Sequence, residues 1–273
     1  MSKHVSNFYN NRPEKEWNRL EHPYQQFEFV TTLDLISKYF PSKGHVCDIG
    51  CGPGRYSIEL LKKGYEVTMV DLSSELLEIA KGQVAQLDGV PSPTIICADA
   101  RELSMLPSGQ FDAVLHLGPM YHLLERKDRL QTLRELSRIL SDRGTAIVSY
   151  LNSWGILRYG VKRFPDLFED ALFLKSMLGE VTIPEAFENF TECFWSTPPK
   201  ASLELSEVGF DIVTYIGCES FASGMKQPIE ELYTSNQKAY ENILQLVRET
   251  CELEQFRSTA EHLHFVVKKG ERK

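Results

Sequence analysis

The sequence predicts an α/β protein with a mostly parallel central sheet and helices on both of its faces. Short apolar runs alternate with amphipathic stretches between residues 45 and 150. The connections between them are short, as is typical of strand–helix–strand units. Residues 111–117 show little polar alternation, which is expected of a strand buried on both faces.

The predicted elements follow in chain order. A polar N-terminal segment with scattered aromatic residues leads into a helix whose apolar positions recur from Phe29 to Phe40. Ser73 is a plausible N-cap for a later amphipathic helix. Strands are predicted at 45–49, 66–70, 94–98, 111–117 and 145–150, with further helices at 55–63 and 127–140.

The alternation stops after residue 150. Residues 152–199 are aromatic and acidic and show no regular alternation, after which a helix at 200–208, a strand at 210–216, a long helix at 229–256 and a strand at 262–267 are predicted. We therefore expect one structural domain with three parts: an N-terminal helical lid segment (1–44), a core (45–151 and 200–273) and an insert or lid (152–199).

Composition and charge argue against a nucleic-acid-binding or membrane protein. The chain has 273 residues and a net charge of −8, which counts against a nucleic-acid partner because such proteins normally carry a basic face. None of the six cysteines forms a C-x-x-C pair, so they are expected to be small apolar residues in a reducing compartment. The polar start and the lack of an apolar run of ~20 residues predict a cytoplasmic protein without a membrane partner.

The most specific motif is a glycine loop after the first predicted strand. Residues 48–54 read DIGCGPG, and a helix is predicted to begin at Arg55. Glycine allows a ligand to approach a backbone that carries no Cβ atom, and the helix N-terminus adds unpaired N–H groups. Arg55 stands where a dinucleotide-binding G-x-G-x-x-G motif has its third glycine. With the Asp48 carboxylate before it, the loop suits a ligand that carries both an amine and a carboxylate better than a pyrophosphate.

The loop and the strand ends that follow it resemble the class I S-adenosylmethionine-dependent methyltransferases, in the branch that acts on small molecules. The acid-x-Gly-x-Gly-x-Gly pattern of that family is present without a gap. The resemblance covers residues 45–150. It implies a Rossmann-like fold with a mostly parallel seven-stranded sheet whose last strand is antiparallel. It also implies S-adenosyl-L-methionine as cofactor and S-adenosyl-L-homocysteine as product.

The resemblance places the cofactor at the ends of four strands. It implies that Asp71 takes the ribose hydroxyls, since a carboxylate can accept two hydrogen bonds from a diol. Asp99 corresponds to the acid that reads the adenine amino group, and Leu117 lies beside the transferred methyl group. The cofactor residues expected in this way are Asp48, Gly50, Gly52, Gly54, Asp71, Leu72, Asp99, Ala100 and Leu117.

These residues also have purely structural interpretations. The glycines could form a strand–helix turn, Asp71 could cap the next helix, and Asp99 could stabilise a turn.

The acceptor site is predicted from residues 116–122, which read HLGPMYH. The Asn/Asp-Pro-Pro-Tyr/Phe motif of enzymes that act on DNA bases or protein glutamine is absent there. So are the Pro-Cys nucleophile and the pattern of a metal-dependent catechol-type site, and no metal is expected. His122 is the candidate general base or substrate-orienting group, and Tyr121 is expected beside it in the acceptor pocket. Alternatively, His122 packs against the next helix and Tyr121 belongs to the core.

Aromatic residues in the N-terminal segment and the insert are candidates for a lid. Tyr9, Trp17 and Tyr24 resemble the lid helices of small-molecule methyltransferases, and Trp154 opens the insert. Ligands of open α/β sheets bind outside the carboxyl ends of the strands, where such segments could cover them. The same residues could instead be ordinary core. An acidic, aromatic lid favours an amine or a neutral aromatic acceptor.

The sequence therefore predicts an enzyme that moves a methyl group to an oxygen, nitrogen or carbon atom of a small molecule. Positioning dominates such a reaction, so a general base is not obligatory. Three alternatives stay open: an RNA or tRNA methyltransferase, a nicotinamide-dependent oxidoreductase, and a non-catalytic S-adenosylmethionine-binding protein. Neither the acceptor nor the oligomeric state follows from the sequence.

Overall fold

A computed structural model describes residues 3–163, 165–183 and 191–270. Within these ranges, nine strands form one sheet. They are β1 (His45–Ile49), β2 (Glu66–Asp71), β3 (Thr94–Cys97), β4 (Phe111–His116), β5 (Leu140–Asn152), β6 (Val181–Ile183), β7 (Cys193–Ser196), β8 (Phe210–Gly217) and β9 (His262–Lys269).

The helices lie between these strands and before the first. They are α1 (Lys3–Asn10), α2 (Pro13–Arg19), α3 (Gln26–Tyr39), α4 (Arg55–Lys62), α5 (Ser74–Val84), α6 (Pro119–His122), α7 (Arg126–Ile139), α8 (Ser153–Arg163), α9 (Ala171–Ser176), α10 (Pro198–Glu207), α11 (Lys226–Ser235), α12 (Gln237–Thr250) and α13 (Glu254–Arg257). Two short 3-10 helices cover Pro165–Glu169 and Ser220–Ala222. In the part of the chain described, no helix is long and apolar enough to cross a bilayer.

The sheet confirms the predicted fold class. The order β3-β2-β1-β4-β5 is parallel throughout, and β9 runs antiparallel between β5 and β8. The antiparallel last strand was expected, but the sheet is larger than the seven strands predicted. The additional strands β6 and β7 come from the insert, where β7 pairs with the last two residues of β5.

The predicted continuous helix at 229–256 was wrong in one respect. The structure divides it into α11, α12 and α13. Asn236 leaves the helical conformation at φ −153° and ψ 81°, and its side chain accepts a hydrogen bond from the N–H of Ala239. An asparagine that caps a new helix competes with continuation of the old one, because its side chain satisfies the exposed N–H groups.

The two faces of the sheet bury separate apolar clusters. Phe111 and Phe265 belong to the cluster under α7 and α10, whereas Met69 and Val266 belong to the cluster under α3 and α4. Neighbouring residues 265 and 266 lie on opposite faces because side chains alternate along a strand. The chain reverses its direction of winding between β1 and β4, and ligands of open α/β sheets bind outside the strands at such a point.

Candidate functional site

A cleft opens at the carboxyl ends of β1, β2 and β4. Its volume is about 1200 Å³, including the space at its mouth. The glycine loop and the residues after β2 line one part, and side chains from α1, α2, α3, α6 and β9 line another. The N-terminal helices therefore lie over the edge of the sheet where the sequence predicted a ligand.

The glycine loop contacts the segment after β4 closely. Gly50 has φ +76°, and a Cβ atom there would lie 2.6 Å from Cδ of Pro119 and 2.8 Å from the carbonyl oxygen of Leu117. Gly50, Gly52 and Leu117 all line the cleft. Gly54 does not line it. A Cβ atom at Gly54 would instead lie 2.6 Å from the side-chain methyl group of Met69 in β2.

The Asp71 carboxylate holds the glycine loop against the end of β2. It accepts hydrogen bonds from the backbone N–H groups of Gly52 and Ser73, each at 2.8 Å. Burial raises the pKa of Asp71 to about 6, although the two N–H groups oppose that change. Asp71 and Leu72 both line the cleft, as the sequence predicted for cofactor residues.

The Asp48 carboxylate lies behind the loop and does not line the cleft. It is 1% exposed, and its Oδ2 accepts a hydrogen bond of 2.6 Å from the Ser57 hydroxyl of α4. Its Oδ1 has no hydrogen-bond partner among the described residues. Burial raises the pKa of Asp48 to about 7. The structure thus gives Asp48 a contact that joins β1 to α4.

The Asp99 side chain points to a neighbouring arginine. Oδ1 accepts from Nε of Arg101 at 3.1 Å, and Oδ2 accepts from Nη2 at 2.7 Å. Burial would raise the pKa of Asp99, but these bonds outweigh it and hold the pKa well below the usual range. The cleft is lined at this strand end by Ala98 and Ala100, without Asp99.

The predicted acceptor residues lie together in the cleft. Nε2 of His122 is 2.9 Å from the Tyr9 hydroxyl, and its Nδ1 is 3.0 Å from the carbonyl oxygen of Glu192. Because a carbonyl only accepts, Nδ1 carries the proton and Nε2 accepts from Tyr9. Burial lowers the pKa of His122 to about 4, which agrees with a neutral ring. The Tyr121 hydroxyl is hydrogen-bonded to the Ser149 hydroxyl, and the Tyr121 ring lies 6.2 Å from the His122 ring.

Of the four aromatic lid candidates, only Tyr9 lines the cleft. The guanidinium carbon of Arg55 lies over the Trp17 ring, 4.6 Å from the centre of that ring, and this contact joins α2 to α4. Tyr24 is 4% exposed and donates a hydrogen bond to the Glu261 carboxylate outside the cleft. The Trp154 indole donates to the carbonyl of Leu178 within the insert, at 3.3 Å.

The structure also brings charged residues into the cleft that sequence reasoning missed. Nη1 of Arg19 is 2.7 Å from Oε2 of Glu28, and Nε is 2.7 Å from Oε1 of Glu16. Burial would raise the pKa of Glu28, but Arg19 lowers it to about 2. His262 lines the same part of the cleft. The only sequence signal was a glutamate beside Phe27 in an apolar helical stripe, which is too weak to indicate a site.

Known proteins are similar to this chain in sequence and in fold. Residues 46–144 match the family described as a methyltransferase domain. The putative methyltransferase YqeM of Bacillus subtilis is 31% identical over 154 residues, which are 56% of this chain and 59% of that protein. The chain thus spans about three fifths of the length of that curated relative.

Two further similarities extend over most of the chain. The tRNA 5-carboxymethoxyuridine methyltransferase of Escherichia coli K12 is 22% identical over 241 residues, or 88% of this chain and 85% of that protein. The crystal structure of 1,6-didemethyltoxoflavin-N1-methyltransferase from Burkholderia thailandensis contains 1,6-didemethyltoxoflavin and S-adenosylhomocysteine. It has a TM-score of 0.55 at 16% identity, covering 90% of this chain and 78% of that one. At this identity the similarity shows the fold.

Proposed function

Because the chain belongs to the class I S-adenosylmethionine-dependent methyltransferases, we propose that it transfers the methyl group of S-adenosylmethionine to a small-molecule acceptor. The receiving atom is an oxygen, nitrogen or carbon. The observation that carries the proposal is the cleft, which continues from the glycine loop and Asp71 to Tyr121 and His122.

The residues of the cleft fit S-adenosylmethionine. A Cβ atom at Gly52 would meet only Cδ1 of Leu76, at 3.9 Å, so the glycine leaves room in the cleft for a ligand. The Asp71 carboxylate is present in the cleft to accept from ribose hydroxyls. Leu72 and Ala100 offer apolar walls for the adenine ring, and Leu117 lines the part of the cleft expected beside the transferred methyl group.

Each predicted cofactor residue has a role in this proposal. The backbone at Gly50 and Gly52 binds the methionine part of the ligand, while Gly54 and Asp48 support the loop from behind. For Asp99 to reach the adenine amino group, it would have to share its bonds with Arg101. We therefore expect Asp99 to contribute less to affinity than Asp71.

When bound, S-adenosylmethionine supplies a methyl group that is already activated by the sulfonium. The protein then has to hold the acceptor in line and keep water out, and such positioning is worth roughly 7–11 kcal/mol. Tyr9 closes the cleft from α1 through its bond to His122. A second hydrogen bond, donated by the Ser73 hydroxyl to Oδ1 of Asn10 at 2.6 Å, also holds this helix against the segment after β2. Tyr121 and His122 face the acceptor.

Calorimetric titration with S-adenosylhomocysteine, with NAD as the control ligand, tests the cofactor class. We expect saturable binding of the first and none of the second. Binding of NAD alone would refute S-adenosylmethionine as the cofactor and favour the nicotinamide-dependent alternative. Binding of S-adenosylhomocysteine without turnover of any acceptor would favour a non-catalytic binding protein.

A tRNA acceptor is the second candidate function. It is favoured by the similarity to a tRNA methyltransferase over 88% of this chain. The net charge of −8 counts against it, because tRNA binding requires phosphate neutralisation. A gel-shift titration with total tRNA at low salt distinguishes the two. A shifted band that S-adenosylhomocysteine strengthens would favour tRNA over a small molecule.

A further inference from the structure

A second histidine lies in the cleft beside Tyr121. His262 begins β9, lines the cleft, and has a ring centre 6.1 Å from that of Tyr121. Its side chain is 21% exposed. Its Nδ1 lies 2.6 Å from Oε1 of Glu219. Because a carboxylate at this distance accepts, Nδ1 carries a proton and donates it to Glu219.

The Glu219 carboxylate has one orientation available. Its Oε2 accepts from the backbone N–H groups of Glu261 and His262, both at 3.1 Å. Glu219 is 2% exposed. With Oε2 held by two donors, Oε1 has to face the imidazole. Such a partner fixes both the tautomer and the orientation of a histidine.

The opposite ring nitrogen, Nε2, is left for a ligand. Within residues 3–163, 165–183 and 191–270, no hydrogen bond to Nε2 of His262 is formed. A histidine with Nδ1–H on a buried carboxylate and Nε2 in a cleft has the arrangement of a general base.

We propose that His262, oriented by Glu219, binds through Nε2 the oxygen of an acidic hydroxyl group that this cleft methylates and holds the proton that this oxygen gives up. The inference rests on the proposed methyl transfer and names its acceptor class, which is a phenol or an enol. His262 is then the catalytic residue and Glu219 the positioning residue.

The proposed step balances in atoms and charge. The acceptor oxygen forms a bond to the methyl carbon, and the carbon–sulfur bond breaks with its electron pair remaining on sulfur. With the pKa of His262 near 9, the acceptor gives its own proton to water and binds as an oxyanion that accepts a hydrogen bond from Nε2–H. That proton stays on the imidazolium when the methylated product leaves. The bound complex holds one proton between the acceptor oxygen and Nε2, whichever partner carried it into the complex.

The charge of His262 itself favours an acidic hydroxyl over an amine. Burial lowers the pKa of His262, but Glu219 and Glu28 outweigh it and raise the pKa to about 9. An imidazolium attracts a phenolate oxygen and repels an ammonium group. Ionisable groups face this ring from every neighbouring element. They are Glu219 from the loop before the 3-10 helix, Glu261 directly before β9, His264 from β9, Arg19 and Glu28 from the N-terminal helices, and Tyr121 from α6.

His122 is less suited to this role. Its Nε2 is occupied by the Tyr9 hydroxyl, and its low pKa makes it a weak base. Its Nδ1 is oriented by a neutral carbonyl instead of a carboxylate. We therefore assign His122 to closing the cleft.

Nitrogen-15 NMR of the histidine rings tests the proposed base without an acceptor. The wild-type protein should show His262 as the Nδ1–H tautomer once neutral, with a pKa near 9. In Glu219→Gln the side-chain oxygen stays on the two backbone donors and the NH₂ group faces Nδ1. The pKa should then fall by about one unit or more, and the tautomer should change to Nε2–H. An Nε2–H tautomer in the wild type, or no effect of Glu219→Gln, would overturn the assignment.

Binding of 4-nitrophenol tests the acceptor class. With S-adenosylhomocysteine present, the protein should bind 4-nitrophenol about tenfold more tightly than 4-nitroanisole, which has no proton to lose. Bound 4-nitrophenol should show phenolate absorption below its solution pKa. His262→Gln should abolish both effects. His45→Gln, at the opposite end of the strands in β1, should keep them.

The outcomes separate the two proposals. If S-adenosylhomocysteine does not bind at all, the proposed function fails. If it binds but the phenol shows no preference over the anisole, or keeps its preference in His262→Gln, only the inference about His262 fails.

Discussion

Three glycine-to-alanine variants test whether the glycine loop leaves the space in which the ligand binds. Gly50, Gly52 and Gly64 all have positive φ, at +76°, +53° and +84°. An alanine in this left-handed region costs roughly 1–2 kcal/mol, and the three variants share that cost. They differ in what the added methyl group meets.

The surroundings of each Cβ set the expected magnitudes. At Gly64 nothing lies within 4 Å, so Gly64→Ala should lower the free energy of unfolding by about 1–2 kcal/mol. At Gly52 the nearest atom is Cδ1 of Leu76 at 3.9 Å, so the stability loss should be the same. At Gly50 the methyl group would overlap Pro119 and Leu117. Overpacking adds about 1–3 kcal/mol, for a total of about 2–5 kcal/mol.

Urea unfolding gives the stabilities, and calorimetric titration gives the affinity for S-adenosylhomocysteine. Gly52→Ala should bind the ligand at least about tenfold more weakly, a change of ~1.4 kcal/mol, because its methyl group stands in the cleft. Gly64→Ala is the matched control and should bind like the wild type. Equal affinities of Gly52→Ala and Gly64→Ala would refute the proposed path of the ligand. Equal stabilities of Gly50→Ala and Gly64→Ala would refute the steric argument.

Three other perturbations give results that the structure determines. Asp71→Ala should weaken S-adenosylhomocysteine binding in calorimetry by about 10- to 100-fold, since hydrogen bonds to a charged group contribute about 1.5–3 kcal/mol; unchanged affinity would remove Asp71 from the ribose site. Asp48 has a pKa of about 7 in the folded state and an ordinary 3.8 in the unfolded state. Between these two values the folded state binds more protons than the unfolded state, so the free energy of unfolding falls as the pH rises. Asp48→Asn should flatten that slope in urea unfolding at pH 5 and pH 8, and parallel pH curves would contradict it. Arg129→Leu should lower the free energy of unfolding in urea by about 3–5 kcal/mol, because it leaves the Glu204 carboxylate as an unpaired buried charge. In the wild type, Nη2 of Arg129 lies 2.8 Å from Oε1 of Glu204, whose side chain is 3% exposed. A loss below about 1 kcal/mol would show that the pair is not formed.

Much of the fold followed from local patterns. The strand at 45–49 was predicted with the bounds that the structure shows, and the helix after the glycine loop differs by one residue. Apolar periodicity and glycine turns act over a few residues, so they can be read directly from the chain. The same holds for Asp71, which ends β2 and lines the cleft.

Other parts of the site needed the tertiary structure. The adenine contact predicted for Asp99 stays a prediction, and only the structure shows that its carboxylate accepts from Arg101, two residues away. Tyr24 was expected in the lid, but it lies in the turn before α3 and donates to Glu261 outside the cleft. Strand-end and aromatic patterns indicate that a residue is polar or apolar, and they do not determine the direction of its side chain.

The sequence by itself determined the alternation of strands and helices between residues 45 and 150, the glycine loop and the acid at the end of β2. Only the tertiary structure decided that Glu28 meets Arg19 in the cleft, and that Glu219 orients His262 beside Tyr121. Glu219 and His262 are separated by 43 residues along the chain. They meet because β8 and β9 pair antiparallel, which brings the end of one strand beside the start of the other. Register between strands depends on the whole sheet, and no local pattern encodes it.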